Sequence, residues 1–177
     1  MLRGRAAQME IFDKDFRKNK ARYLLQCCLA GAAMLVILGG MRSISNSAVV
    51  ASLGASTFIV FALPNIKASR SQFLIGGYIV GVAAGVLCFW LKQLVPLPEQ
   101  LGMVTDVPNT VFGAAAVGLS ALGMVIANAE HPPAAGLALG FALLDKLHWE
   151  APAVVMAGII ALCLVRLLLR PYLRNLI

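Results

Sequence analysis

The sequence predicts an all-α protein: a polytopic membrane helix bundle of six apolar segments in a 3+3 inverted repeat, with the second and fifth segments short or broken. The first observation behind this is composition. Hydrophobic residues make up 60% of the 177 residues before the 16 glycines are counted, against roughly 45–50% in soluble domains with glycine included. Charged residues make up only 13%, and a soluble fold of this size could not bury so much apolar surface.

The second observation is the distribution of the net charge of +7. Basic residues gather at the ends of apolar segments instead of covering a globular face, so we expect no nucleic-acid partner. Residues 1–22 hold seven of the fifteen basic residues, with Met9, Phe12 and Phe16 at helical spacing. This pattern indicates a basic amphipathic helix on anionic lipids. The alternative is a solvated tail.

The third observation is the length of the apolar segments. They run approximately Tyr23–Met41, Ser47–Leu63, Phe73–Leu91, Val111–Ala127, Ala134–Leu144 and Ala151–Leu169. The first, third, fourth and sixth approach the roughly 20 residues that a membrane-spanning helix needs. The second is marginal, and the fifth suits a half-helix, a re-entrant segment or a tilted short span.

The basic residues predict the orientation. Six crossings with the N-terminus inside place twelve of the fifteen basic residues on the inner face and three on the outer face, a strong positive-inside bias. Four crossings give eleven against four, so charge favours six. Both arrangements place both termini in the cytoplasm. Arg166, Arg170 and Arg174 recur every four residues, and we expect them to reach the inner interface by snorkelling.

Residues 92–110 contain three prolines and form the longest connection, so they are the predicted linker between a first repeat, 23–91, and a second, 111–177. A shift of 82 residues superposes long, short and long segments on their counterparts. Three crossings in each half give the halves opposite orientations, as is common in transporters and channels.

Gly77, Gly81 and Gly85 form a tandem GxxxG pattern on one face of the third segment. Such a face lets helix backbones approach closely. It could join helices within one subunit or between the subunits of a homo-oligomer, and the first interpretation is favoured because every multi-span bundle needs such faces.

The densest polar cluster lies between the fourth and fifth segments and predicts a broken-helix junction. Two prolines end one helix and allow another to begin, and the N-terminus of the new helix favours an anion. A histidine there can donate a hydrogen bond or exchange a proton. The alternative is an interfacial turn with its histidine in water. The candidate substrate-binding residues are Asn128, Glu130, His131, Pro132 and Pro133.

The counterpart of this cluster in the first half is Ser52, Gly54 and Ser56. The two serines share a helical face, and the glycine lets a backbone or ligand come close, so we expect them at the substrate site. Hydroxyls in membrane helices also bond back to their own helix, which is the expectation for Thr57.

No catalytic or metal-binding motif is recognisable, and the four cysteines lie in apolar runs, where they act as small hydrophobic residues. We therefore expect no enzyme activity and no cofactor. The expected partners are a small anion, the bilayer, anionic lipids at the N-terminal segment and other copies of the chain.

The chain resembles the HPP family of integral membrane proteins. The motifs are Gly54-Ala55-Ser56 with Phe61, Pro64 and Ile75-Gly76-Gly77, and His131-Pro132-Pro133-Ala134-Ala135 running into Ala138-Leu139. The similarity covers about Leu24 to Leu169. The chain departs from the family pattern at Tyr78, where members often carry histidine, and at Arg70-Ser71-Gln72, where they often carry a proline-arginine pair.

The resemblance implies transport, since members in cyanobacteria and chloroplasts are nitrite transporters and many others are bacterial. Nitrite is therefore the first candidate substrate, and we expect the chain in a bacterial inner membrane. The family is usually described with four membrane spans, whereas the segments here are counted as six. The alternative function is a structural or regulatory membrane subunit without transport activity.

Overall fold

The computed structural model describes residues 19–40, 47–101 and 103–176. Within these ranges the chain forms six α-helices, numbered here in chain order, one 3₁₀ helix and one short antiparallel ladder. The α-helices are α1 Lys20–Gly40, α2 Ser47–Ala62, α3 Ser71–Leu94, α4 Val107–Ile126, α5 Pro133–Ala142 and α6 Ala151–Leu169. The 3₁₀ helix is Lys67–Ser69, and β1 Gln100–Leu101 pairs with β2 Val104–Thr105. Nearly all of the predicted amphipathic segment 1–22 lies outside the described residues.

The helix lengths confirm the prediction of four long and two short apolar elements. Helices α1, α3, α4 and α6 have 21, 24, 20 and 19 residues and are apolar enough to cross a membrane. Helices α2 and α5 have 16 and 10 residues. Helix α2 is short but continuous from Ser47 to Ala62, so of the two alternatives given for the second segment, short or broken, the first is correct.

The ends of several helices meet at one face of the bundle, which we call the basic face. Gln26, near the start of α1, donates from Nε2 to the carbonyl oxygen of Phe61 in α2 at 2.7 Å and to that of Arg174 at 2.9 Å. Arg166, near the end of α6, donates to the carbonyl oxygen of Pro64, which follows α2. The starts of α1 and α3 and the ends of α2 and α6 therefore lie together. The lysines and arginines here are Lys20, Arg22, Lys67, Arg70, Arg166, Arg170 and Arg174.

At the opposite face a single lysine joins three helices. Lys92, near the end of α3, donates from Nζ to Asn109 Oδ1 in α4 at 2.7 Å and to the carbonyl oxygens of Ala142 and Leu144 at the end of α5 at 2.9 and 3.1 Å. Helices α3 and α5 therefore run in the same direction, with α4 antiparallel to both. Combined with the contacts at the basic face, this means that all six helices alternate in direction, as six crossings require.

Helix α5 begins inside the bundle, well away from the basic face. Ideal Cβ atoms on Gly81 and Gly85 of α3 would lie 2.5 and 2.6 Å from the carbonyl oxygens of Ala134 and Ala138. Since Gly81 is ten residues beyond Ser71, and a helix rises about 1.5 Å per residue, the first turn of α5 lies about 15 Å along α3 from the basic face. The connection 127–132 therefore brings Ala129 and His131 into the bundle, and of the three alternatives given for the fifth segment a half-helix is observed.

The close approach of α5 to α3 explains the glycine stripe. A side chain at Gly77 would also collide, because its Cβ would lie 2.6 Å from the Cβ of His131. The three glycines thus allow α5 and the preceding connection to pack against the backbone of α3. This confirms the interpretation that the GxxxG face joins helices within one chain.

The predicted linker 92–110 contains the last turn of α3, the β1–β2 ladder and the first turn of α4. Asp106, with φ 59°, adopts the left-handed conformation and caps α4 by accepting from the backbone N–H of Asn109 at 3.3 Å. Pro108 in the first turn suits this helix start, because the first helical N–H groups have no partner within the helix.

Candidate functional site

His131 is completely buried, with 0% of its surface exposed. Its Nδ1 lies 2.9 Å from the carbonyl oxygen of Ala68, and its Nε2 lies 2.8 Å from Ser56 Oγ. A carbonyl only accepts, so Nδ1 carries a hydrogen and donates it to Ala68. In the neutral ring Nε2 is then the acceptor, and Ser56 donates to it. His131 thus bridges α2 and the 3₁₀ helix.

Tyr78 of α3 completes the cluster. Its hydroxyl lies 2.8 Å from Ser56 Oγ and 3.5 Å from Ser52 Oγ, and its ring centroid lies 5.7 Å from that of His131. Tyr78 and Ser56 are both 0% exposed, and Ser52 is 4% exposed. We call His131, Ser56, Tyr78 and Ser52 the His131 cluster. It brings α2, α3 and the connection before α5 together in the interior of the bundle.

The hydroxyl of Ser56 has three partners but only one hydrogen. Besides His131 and Tyr78, Ser56 Oγ lies 3.0 Å from the carbonyl oxygen of Ser52. When His131 is neutral, Ser56 donates to Nε2 and accepts from Tyr78. When His131 is protonated, Nε2 donates to Ser56, which then donates to Ser52. The cluster can therefore hold either protonation state through rotation of one hydroxyl.

The neutral state of His131 prevails at neutral pH. His131 lies in the connection between α4 and α5, outside the helices, and burial lowers its pKa from 6.5 to about 4, opposed by its hydrogen bond to the Ala68 carbonyl. A charged imidazolium loses its hydration in such a site, so the neutral form is favoured. This differs from the expectation of a proton exchanged near neutrality.

The two prolines start α5 as expected but leave few free donors there. Neither Pro132 nor Pro133 has an N–H group. The next two amides donate within the first turn, Ala134 to the His131 carbonyl at 2.9 Å and Ala135 to the Pro132 carbonyl at 3.0 Å. An anion at this helix start would therefore compete with these bonds, and side chains are the more accessible donors.

Of the other expected site residues, Asn128 and Glu130 are exposed on the connection, and Asn128 has a φ of 48°. Gly54 is half-buried, and a Cβ there would meet no atom within 4 Å. It lies two residues from both serines, on the other side of α2. The N–H groups around Gly54 lie inside a continuous helix, so the donors that this stretch can offer to an anion are the serine hydroxyls.

Thr57 confirms the back-bonding expectation, because its Oγ1 donates to the Leu53 carbonyl of its own helix at 2.9 Å. Arg166 reaches the basic face, as the snorkelling expectation requires, but its side chain is buried there. It is only 8% exposed, and its Nη2 lies 3.1 Å from the Pro64 carbonyl oxygen and 3.4 Å from Ser69 Oγ. The side chain is held by the α2–α3 connection, whereas Arg170 and Arg174 are exposed as expected.

Sequence reasoning did not assign Tyr78 and Arg166 to a site. The available signal for Tyr78 was its position well inside a span, where a tyrosine hydroxyl must find a partner. The signal for Arg166 was an arginine three residues before the end of an apolar segment. Among the described residues no group of three histidine, cysteine, aspartate or glutamate side chains is placed to hold a metal ion.

The comparisons with known proteins agree with this architecture. The family described as "HPP, transmembrane region" matches residues 16–175. No curated protein and no solved structure matches the chain. The match covers nearly the whole sequence and includes His131-Pro132-Pro133 at the start of α5. Together with four helices long and apolar enough to cross a bilayer, it establishes that the chain is an integral membrane protein of the HPP transmembrane family.

Proposed function

We propose that the protein is a membrane transporter or channel for a small anion, with nitrite as the first candidate substrate. The observation that carries the proposal is the His131 cluster, a buried set of polar side chains where α5 begins partway through the bundle. Polar groups inside membrane bundles commonly mark substrate or ion pathways, because burying them is costly. Nitrite itself comes from the resemblance of the motifs to those of nitrite transporters.

In this proposal His131 acts as a neutral hydrogen-bonding group at physiological pH. An anion that displaces the Ala68 carbonyl would accept the Nδ1 hydrogen of His131, and the hydroxyls of Ser56 and Tyr78 are the further donors of the cluster. Asn128 and Glu130 are exposed on the same connection, where the Asn128 amide would donate to the anion before it reaches the cluster, whereas the Glu130 carboxylate only accepts and would repel it. The protein needs no metal or cofactor for this role.

Topology is part of the same proposal. Six helices of alternating direction, long–short–long in each half, fit a 3+3 inverted repeat with the two short helices in contact at its centre. An ideal Cβ on Gly136 of α5 would lie 3.9 Å from the Cβ of Ser52 in α2. The concentration of basic residues supports a cytoplasmic basic face with both termini on that side, and the bacterial inner membrane comes from the resemblance alone. Assembly as a homo-oligomer belongs to the same proposal.

Uptake into proteoliposomes tests the proposal. The purified protein is reconstituted, and uptake of nitrite, nitrate and formate is measured with and without a pH gradient against empty liposomes. Acidification also forms membrane-permeant nitrous acid, so nitrate is the cleaner probe at low pH. We expect uptake of at least one of these anions above the empty-liposome rate. Uptake equal to that of empty liposomes for all three contradicts the proposal.

The alternative is a structural or regulatory membrane subunit. It is favoured by the continuity of both short helices and by the protein partners that both nitrogens of His131 already have. In this case the cluster specifies helix packing, and the basic N-terminal segment binds anionic lipid or a partner. A correctly folded, reconstituted protein without anion uptake supports this alternative.

A further inference from the structure

The basic face contains a pocket of about 430 Å³ between the end of α2, the start of α3 and the end of α6. Three arginines line it: Arg70, Arg166 and Arg170. Of the described residues that line it, none is acidic. Three of the carboxylates in the described part of the chain, Glu99, Asp106 and Asp145, instead border the pocket around Lys92 at the opposite face.

Arg166 is the inner wall of this pocket and lacks a full set of partners. It is only 8% exposed, and Nη2 has its contacts to Pro64 and Ser69, but Nε is buried without a hydrogen-bond partner among the described residues. A buried cation is costly unless it is paired and its donors are satisfied. An anion in the pocket would provide both the opposite charge and the missing acceptor.

Arg70 and Arg170 are exposed and line the same pocket. Each guanidinium offers five N–H donors in a planar fork that fits an oxyanion in two-point contact. Three such groups around one pocket therefore favour a nitrate-like or phosphate-like group over a cation or an apolar ligand. Asn65, also at the pocket, adds an uncharged amide.

The pocket is linked to the His131 cluster by a short path. Arg166 Nη2 lies 3.4 Å from Ser69 Oγ, and the carbonyl of the preceding residue, Ala68, accepts from His131 Nδ1. The 3₁₀ helix Lys67–Ser69 thus separates the pocket from the cluster by a single turn of backbone. An anion held by the arginines would be positioned directly outside the buried histidine.

We infer that the arginine pocket binds an oxyanion group and that it captures the transported anion at the basic face before the anion reaches His131. The capture role rests on the proposed anion transport, whereas binding itself does not. The same chemistry would also suit the phosphate of an anionic lipid headgroup. The experiment therefore measures binding and uptake separately and includes a lipid competitor.

Binding is measured by titrating nitrate, and separately inorganic phosphate, into the delipidated protein in neutral detergent at constant ionic strength with gluconate. The test variant is Arg70→Gln/Arg170→Gln, because both side chains are exposed and the fold should survive. The control is Lys67→Gln/Arg174→Gln, which removes the same charge from exposed side chains of the same face outside the pocket lining. We expect affinity to fall about tenfold or more in the test variant and about twofold or less in the control. Equal loss in both variants, or no saturable binding by the wild type, overturns the inference.

The variant Arg166→Gln provides a second test. Its thermal midpoint without anion shows that the variant is folded. We expect the anion to raise the midpoint of the wild type, because a ligand that binds only the folded state stabilises it, and to leave the midpoint of the variant unchanged. An unchanged anion-dependent shift in folded Arg166→Gln overturns the role of this residue in the pocket.

The uptake assay separates the two proposals. If the wild type transports nitrate and the test variant transports it with unchanged concentration dependence, the capture role is wrong and the proposed function stands. If the wild type binds nitrate without transporting any anion, the proposed function is wrong and the binding site stands. Phosphatidylglycerol added to the micelles, with phosphatidylcholine as control, identifies the source of the oxyanion. If phosphatidylglycerol competes with nitrate for the pocket and phosphatidylcholine does not, the pocket is assigned to lipid and the capture role is overturned.

Discussion

Ser56 Oγ and His131 Nε2 lie 2.8 Å apart although the residues are 75 positions apart in the sequence. Ser56 belongs to the short helix of the first half, and His131 directly precedes the short helix of the second. Their hydrogen bond therefore joins the two predicted repeats inside the bundle. Four predictions follow the consequences of this contact and of the packing around it.

Replacing His131 should impair anion binding selectively. In His131→Ala the two prolines still begin α5, but Ser56 loses a partner and the site loses a donor. A buried polar group left unpaired costs about 1–3 kcal/mol, so anion affinity should fall about five- to a hundredfold. The measurement is the concentration dependence of nitrate uptake in proteoliposomes.

His148→Ala is the matched control, because the other histidine of the chain is exposed near the start of α6. Its variant should transport as the wild type does. If His131→Ala keeps the affinity and pH profile of the wild type, His131 only begins a helix and does not line the substrate site.

Removing the Ser56 hydroxyl should destabilise the protein. Ser56→Ala leaves His131 Nε2 and the Tyr78 hydroxyl without their short contacts, at a cost of about 1–3 kcal/mol. Ser120→Ala is the control, since Ser120 is also 0% exposed but its Oγ has no partner among the described residues. Thermal midpoints in detergent should fall in Ser56→Ala and stay equal or rise in Ser120→Ala. Equal midpoints for both variants would show that the Ser56 hydrogen bonds contribute nothing to stability.

The glycines of α3 should not tolerate a methyl group. In Gly81→Ala the new Cβ would lie 2.5 Å from the Ala134 carbonyl oxygen, so α5 must move away from α3, at a cost of about 1–3 kcal/mol or more. A Cβ on Gly118 of α4 would meet no atom within 4 Å, and Gly118→Ala should be neutral or stabilising by about 0.5–1 kcal/mol. The yield of folded protein and its thermal midpoint measure both effects. A Gly81→Ala protein as stable as Gly118→Ala would contradict the observed packing.

The stability of the protein should depend on pH through His131. The unfolded chain takes up this proton at the ordinary pKa of 6.5, and the folded protein only at about 4. The unfolded state therefore binds more protons between these values, and stability falls as pH decreases from about 6.5 to 4. The loss should reach about 3 kcal/mol at most.

His131→Gln removes the titrating group while keeping polar atoms at the position. Its thermal midpoint should vary less between pH 7 and pH 4.5 than that of the wild type. Identical pH dependence in the two proteins would assign the effect to other groups.

The parts of this structure that the sequence predicts depend on local patterns. The sixth segment was expected at Ala151–Leu169, which are the observed bounds of α6, because an apolar run bounded by polar residues and a proline needs no tertiary information. The fifth was expected at Ala134–Leu144 and is observed at Pro133–Ala142. The proline pair identifies its start, and its shortness follows from the number of apolar residues.

The rest depends on which helices face each other. The length of the second segment allows either a short or a broken helix, and α2 is continuous because Leu53, Ser56 and Val60 are buried against neighbouring helices. Whether Tyr78 contacts Ser56 depends on the register of α3 against α2, and the hydrophobic periodicity of the sequence carries no information on that register. The burial of Arg166 depends on the Pro64 carbonyl, which the α2–α3 connection brings to it, and the position of Arg166 in α6 carries no information on that contact.

The contacts that hold α1 have a consequence for the order of synthesis. Gln26 donates to the Arg174 carbonyl, 148 residues later, and the Tyr23 hydroxyl donates to the Leu176 carbonyl, 153 residues later. The start of α1 is therefore held by residues that are translated 148 and 153 residues after it. Until those residues emerge, Gln26 can hold the start of α1 only through its hydrogen bond to the Phe61 carbonyl oxygen, 35 residues away. A nascent chain stalled before Arg174 should therefore present α1 loosely docked, because it lacks both of these carbonyl acceptors.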